Sequence, residues 1–264
     1  MAYLDAVETR FDYDPEADFP FNLALFSARV VARFDTPVTF FVGDNGAGKS
    51  TLLEAIAASF RLPALTQTSL SQHPLMQPAA ALAKKLTLIR RTPKKHGFFF
   101  RADDVVGFVQ SLRRTADEHR ELEAHYDQTL KGEGHRRATG MARAQHEAIA
   151  ARYGEDPFAR SHGELFLELF RQRLTAPGLY LMDEPETPLS PVNQLALLAL
   201  MMDKVEEGSQ FIVATHSPIL MALPGATILD FDQAPPQAIA WDDVEHVAVT
   251  KAFLNSPETF LRRL

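Results

Sequence analysis

Short apolar runs alternate along this chain with longer stretches in which apolar residues return every three or four positions. Val38–Val42, Leu86–Ile89, Phe98–Phe100, Gly178–Met182, Gln210–Ala214, Thr227–Leu229 and Ala238–Trp241 each read as a strand. Residues 51–57, 104 to about 130, 138–153, 165–174 and 244–254 carry helical spacing, with Asp242-Asp243 placed to cap the last and Ser256 a short final helix. Residues 59–78, rich in Ser, Thr, Gln and Pro, read as a loop. The order predicts an α/β fold, a mostly parallel sheet flanked by helices. A length of 264 residues suits a single domain over 1–264, with a helical subdomain at about 104–160 embedded in it. No sustained heptad or internal repeat is present.

The strand at 38–42 and the helix at 51–57 are joined by Gly43-Asp44-Asn45-Gly46-Ala47-Gly48-Lys49-Ser50, with Thr51 following. Strand, glycine loop and helix in this order make a phosphate-binding P-loop. Its backbone N–H groups must approach phosphate oxygens closely, which side chains would prevent and positive φ values assist. In such a loop Lys49 reaches the β- and γ-phosphates and the Ser50 hydroxyl sits on Mg²⁺. The expected ligand is a nucleoside triphosphate, ATP, with Mg²⁺. A second cluster, Asp183-Glu184-Pro185-Glu186, follows the 178–182 strand. Asp183 is placed to hold the metal, Glu184 to polarise an attacking water, and Pro185 stops the strand.

Two further motifs narrow the reading. Thr215-His216-Ser217-Pro218 follows the 210–214 strand, and Ser161-His162-Gly163-Glu164 opens the 165–174 helix. Ser161 precedes Asp183 by 22 residues, and His216 follows it by 33. In order and spacing the chain resembles the ABC-type ATPases, especially their soluble branch of RecF-like, structural-maintenance-of-chromosomes-like and overcoming-lysogenisation-defect proteins. The resemblance spans about 38–229. It implies that His216 contacts the γ-phosphate and holds the attacking water with Glu184. It also implies that Ser161 and Gly163 contact the γ-phosphate bound to a second subunit, in an ATP-dependent homodimer, and that Thr187-Pro188-Leu189-Ser190 couples the two sites. His162 and Glu164 depart from the family's Ser-Gly-Gly-Gln, yet the helix start still offers free N–H groups to an anion. The glutamine-loop residue has Asp103 or Gln110 as candidates, and the adenine-stacking aromatic has Phe19 or Phe21.

Composition adds bounds. There is no cysteine, hence no disulfide or thiolate metal site. The acidic N-terminal residues 1–19 lack the apolar core of a secretory signal. Residues 211–229 hold no Asp, Glu, Lys or Arg, but His216, Ser217-Pro218 and Pro224-Gly225 interrupt them. A soluble, cytoplasmic protein is expected. Residues 84–143 contain 14 Lys/Arg against 8 Asp/Glu in a chain of net charge −7. This region, with Lys84-Lys85, Arg90-Arg91, Lys94-Lys95, Arg113-Arg114 and Arg136-Arg137, offers contacts for a nucleic-acid backbone, or is a solvated helical face. His119, His125, His135 and His146 lack metal-ligand spacing and read as surface residues. The lone Trp241 reads as packing.

Three function classes follow. The first is an ATPase that dimerises on ATP and acts on DNA or on a partner protein such as a nuclease, in repair or defence. The second is the nucleotide-binding subunit of a membrane transporter, working with a permease. The third, a P-loop kinase for a small substrate, should lack the Ser161 and His216 motifs.

Overall fold

Five parallel strands set the frame. The computed structural model describes residues 3–64, 77–92, 96–105, 107–110, 162–175 and 177–262, with isolated positions 114, 118 and 121. Its main sheet runs β5 (Gly97–Arg101), β6 (Leu179–Asp183), β7 (Gln210–Ala214), β3 (Val38–Val42), β8 (Thr227–Asp230). All pair in parallel, and the two-residue β9 (Gln237–Ala238) folds back antiparallel on β8. Every residue of β3 and β7 is buried, as strands covered on both faces require. Alternate side chains feed two cores. Val38, Phe40, Met182 and Val213 pack with α3 (His162–Arg173) and α4 (Pro191–Glu206). Phe41, Leu181, Ile212 and Ala214 pack with α1 (Lys49–Phe60) and α2 (Gln77–Ala83).

The second core is closed by a small antiparallel sheet, β2 (Val30–Arg33), β1 (Leu4–Thr9), β4 (Leu86–Arg90). Gln210, fully buried at the start of β7, ties the two sheets together. Its Oε1 accepts from the Tyr3 and Leu4 N–H groups at 2.7 and 2.9 Å, and its Nε2 donates to Leu4 O at 2.8 Å. Each hydrogen bond satisfies a backbone group that β1 would otherwise bury unpaired. Serine caps begin two helices. Ser190 accepts from the Asn193 N–H ahead of α4, and Ser217 from the Leu220 N–H ahead of α5 (Pro218–Met221). In each, proline at the first helical position has no N–H to leave unpaired.

Several sequence expectations shift. The 178–182 strand sits one residue later, so Asp183 is its last residue, and the 165–174 helix starts at His162. The 59–78 loop is shorter than expected, because α1 runs to Phe60 and α2 starts at Gln77; residues 65–76 lie outside the described ones. The strand expected at 238–241 is only Gln237–Ala238, since pairing ends after Leu229 and Asp230, and Trp241–Asp243 forms a 3-10 turn. Asp242-Asp243 does not cap the next helix. That helix, α6 (Glu245–Asn255), starts from Val244 without a side-chain cap, and Asp242 pairs with Lys251 instead. Ser256 likewise precedes α7 (Pro257–Leu261) without a side-chain cap bond, its hydroxyl meeting Thr259 at 2.7 Å. Of the expected helical pair, positions 104–105, 107–110, 114, 118 and 121 are helical; the remainder, with the four surface histidines and Lys94-Lys95, Arg113 and Arg136-Arg137, lies outside the described residues. No described helix is long and apolar enough to cross a membrane.

Candidate functional site

Parallel register brings the chemistry to one edge. Arg101 pairs with Asp183, Asp183 with Ala214, and Phe41 with Ala214, so the C-terminal ends of β5, β6, β7 and β3 line up. In open α/β sheets this edge is where ligands bind. Residues 43–48 leave the end of β3 and turn directly into α1, with Gly46 at φ 90° and Gly48 at φ 95°. A β-carbon on Gly46 would meet nothing within 4 Å, so its absence keeps the outer face of the loop open to a ligand. One on Gly48 would collide with Leu25, whose 3-10 turn (Ala24–Ser27) braces the loop from behind.

Lys49 folds back over this loop. Its Nζ donates to Gly43 O at 2.6 Å and Asp44 O at 2.8 Å, and the side chain is buried. Burial lowers its pKa, while Asp232, Asp183, Glu184 and Asp44 act in the opposite sense. Ser50 Oγ donates to Asp183 Oδ1 at 3.0 Å, joining the start of α1 to the end of β6. Burial pushes the Asp183 carboxyl up to about 7. Glu54 and Glu184 add to this; the Ser50 hydrogen bond and Arg101 oppose it. No group of three or more His, Cys, Asp or Glu that could hold a metal occurs among the described residues. A hydroxyl plus one buried carboxylate still fits Mg²⁺, which keeps several waters and takes phosphate oxygens beside one or two protein ligands.

Glu184 is the residue where β6 turns away. Its N–H donates to Ala214 O at 2.9 Å and its φ is 49°, a left-handed conformation costing a non-glycine residue on the order of 1–3 kcal/mol. His216, just past β7, has its backbone N–H held by Glu186 Oε1 at 2.7 Å. Its ring Nδ1 lies 3.1 Å from Nε2 of His246 on α6. Burial, Lys49 and His246 lower the His216 pKa against the pull of Glu184 and Asp44. Lys49, Ser50, Asp183, Glu184 and His216, expected from three separate motifs, thus share one electrostatic environment.

Other expected residues fall differently. Gly163, in the first turn of α3, is buried in its own chain; a β-carbon there would come within 2.7 Å of Asn193 Nδ2 and 3.2 Å of Pro188 O. A side chain here would displace the Asn193 amide and crowd the 187–190 turn. Ser161 lies outside the described residues. Phe19 is exposed, whereas Phe21 packs edge-on against Phe11 with centroids 5.2 Å apart. Asp103 and Gln110 are exposed. Trp241 is packed, its Nε1 donating to Pro218 O at 3.1 Å.

Three residues at the site, Arg101, Asp232 and His246, have no signal in the sequence pattern, and Glu186 stands in the second motif without an expected role. Arg101, at the end of β5, pairs with Glu54 at 2.7 Å and Asp104 at 3.3 Å. The next residue, Ala102, donates its N–H to Asp183 O at 3.1 Å. Asp232 accepts from the Asp44 N–H at 2.7 Å, closing the loop's other end. Glu186 and His246 hold the His216 backbone and ring. Each is recognisable only once distant segments meet.

Comparison with known proteins yields matches along the same stretch. Residues 164–222 match the family described as "AAA domain, putative AbiEii toxin, Type IV TA system", and residues 21–61 match an AAA domain. A hemin import ATP-binding protein, HmuV, of Rhodopseudomonas palustris is 27% identical over 209 residues, 76% of this chain and 73% of its own. A cobalt import ATP-binding protein, CbiO, of Salmonella typhimurium is 25% identical over 233 residues, 83% of this chain and 79% of its own. Among solved structures, an SMC head domain from Thermotoga maritima aligns with a TM-score of 0.39 at 16% identity, over 87% of this chain and 95% of that one.

Proposed function

We propose that this chain, an ABC-type P-loop ATPase in motif order, fold and relatives, binds ATP with Mg²⁺, hydrolyses it, and uses ATP-dependent homodimerisation to act on DNA or a partner protein. The observation that carries the reading is the Ser50–Asp183 hydrogen bond of 3.0 Å, which joins the phosphate loop to the strand-end carboxylate. Ser50 and Asp183 would hold Mg²⁺, which when bound neutralises charge on the β- and γ-phosphate oxygens. Residues 43–51 wrap the phosphates, and Lys49 exchanges the Gly43 and Asp44 carbonyls for phosphate oxygens.

Water adds to the γ-phosphorus as its bond to the β–γ bridging oxygen breaks, and ADP leaves with that electron pair. Glu184 accepts the water's proton, and His216 donates a hydrogen bond to a γ-phosphate oxygen. By the family resemblance, Ser161 and Gly163 would serve the γ-phosphate of a second subunit in a two-fold sandwich, so ATP favours the closed state over the open one. The basic residues near 84–143, among them the exposed Lys84 and Lys85, make DNA one candidate cargo.

Glu184→Gln keeps the side-chain shape and removes the charge, so it should bind ATP, hydrolyse slowly, and scatter light as a dimer with ATP-Mg²⁺ but as a monomer without it. Adding Ser161→Arg should abolish that dimer and spare ATP binding. A Glu184→Gln protein that stays monomeric at saturating ATP sinks the sandwich. No binding of the unmodified protein with ATP to DNA at low salt removes DNA as cargo. The second reading, the nucleotide-binding subunit of a transporter, is favoured by the import functions of the relatives HmuV and CbiO. Co-purification from membranes with a permease would select it.

A further inference from the structure

The His216 ring is not held by its own loop. Its backbone is fixed by Glu186, but the ring's Nδ1 edge meets His246 Nε2 at 3.1 Å, with centroids 4.7 Å apart. His246 comes from the first turn of α6, a segment with no contact expected from the motifs. Its placement is anchored on both sides. Val244 and Val247 are buried next to it, and Trp241 Nε1 is bonded to Pro218 O, two residues past His216. His246 itself is half-buried, on a helix seated by Val244 and Val247.

Two imidazole nitrogens at this distance make a hydrogen bond only when one carries the proton and the other offers a lone pair. Two arrangements exist for a neutral pair. If His216 donates from Nδ1, its Nε2 presents a lone pair, which an anionic phosphate oxygen repels. If His246 donates from Nε2, His216 keeps its proton on Nε2 and can donate to that oxygen.

We infer that His246 is a positioning residue for ATP hydrolysis, donating from its Nε2–H to His216 Nδ1 and so holding His216 in the Nε2–H tautomer that the γ-phosphate requires. The inference rests on the role proposed above for His216 and adds the group that orients it. The charged groups around the ring are compatible with a neutral His216. Lys49 from α1 opposes its protonation, Asp44 and Glu184 favour it, and burial lowers its pKa on balance. Glu186 is engaged with the backbone N–H, and Lys251 of α6 is engaged with Asp242 and lies 3.8 Å from the Trp241 ring centre. Partners that orient a metal-ligating histidine through its second nitrogen typically matter by about 10- to 100-fold in affinity or activity, and the same scale is expected for a histidine oriented toward phosphate.

Two variants and one spectrum test this. His246→Phe keeps a planar ring and deletes the donor; His246→Gln keeps an N–H donor of different shape. His246→Phe should lower kcat on the order of 10- to 100-fold with ATP KM within about 2-fold of the parent, and His246→Gln should recover much of the loss. Nitrogen-15 NMR of the parent protein should give His216 the shifts of an Nε2–H imidazole, and the Phe variant a mixture of tautomers. Normal kcat in His246→Phe, or a parent spectrum showing His216 protonated on Nδ1 alone, overturns the inference; the spectrum decides it even if the Phe variant does not fold. His216→Ala separates the two levels. Wild-type turnover there removes the proposed role of His216, whereas an inactive His216→Ala beside a fully active His246→Phe removes only the positioning role.

Discussion

Replacing Asp183 with Asn should make the nucleotide-free protein more stable while abolishing the proposed ATP hydrolysis. The buried Asp183 carboxyl titrates at about 7 in the folded chain, against 3.8 when unperturbed. The sign follows from proton binding: between these values the folded state holds a proton that the unfolded state has released, so raising the pH favours unfolding. The penalty is absent below the unfolded pKa, grows through the interval and is complete above the folded one. From a shift of roughly three units, it amounts to about 4 kcal/mol at pH 8 and about 1.7 kcal/mol at pH 5. Asn keeps an acceptor oxygen for the Ser50 hydroxyl, 3.0 Å away in the parent, and carries no charge to bury. Thermal unfolding in EDTA without nucleotide should therefore place the variant above the parent at pH 8, by up to about 8–16 °C for a domain of this size. The gap should narrow by more than half at pH 5. Adding Mg²⁺ and ATP should raise the parent's midpoint and move the variant's far less, since only the parent offers a carboxylate to the metal. An Asn variant no more stable than the parent at pH 8, or a gap independent of pH, refutes the reasoning.

Two further outcomes are expected. Lys49→Ala should lose most nucleotide affinity and turnover, because it removes the lysine held within the phosphate loop; nucleotide titration of the folded variant checks this, and near-normal binding would reject the P-loop assignment. Gln210→Ala should lower stability by about 2–4 kcal/mol in urea unfolding, because the Tyr3 and Leu4 backbone groups lose buried partners between the two sheets; a change under about 0.5 kcal/mol would show that β1 finds other partners.

Local composition announces some elements and hides others. VTFFV and QFIVA have the bounds of β3 and β7, because strands buried on both faces are continuous apolar runs. The phosphate loop is equally plain, since positive φ values and close ligand approach both demand glycine. β1 is hidden: LDAVET mixes Asp5 and Glu8 with apolar residues, and an irregular register at Val7/Glu8 breaks the two-residue alternation. β9 exists through its pairing with β8, so its exposed Gln237 and Ala238 carry no signal of their own. The α4 helix is absent from the sequence expectations, although its start carries a Ser190 cap and Pro191 at the first helical position. Within the site, Lys49, Ser50, Asp183, Glu184 and His216 stand in motifs, whereas Arg101, Asp232 and His246 acquire meaning only through tertiary contact.

The central place of β3 constrains how the chain reaches this state. Val38 pairs with Phe211 on one side and Thr39 with Thr227 on the other, so both neighbours of the phosphate-loop strand lie far downstream in the chain. On a ribosome adding about 5–20 residues per second, β3 waits roughly 10–40 s for β8 to be made. Until β7 is made, Phe40 and Phe41, fully buried in the finished sheet, have neither flanking strand to pair beside them. Such non-local pairing raises contact order and slows folding. It also means that a nascent chain stopped before Gln210 presents the glycine loop without the sheet that shapes it. The sheet edge that shapes the phosphate loop is therefore completed late in the synthesis of this protein.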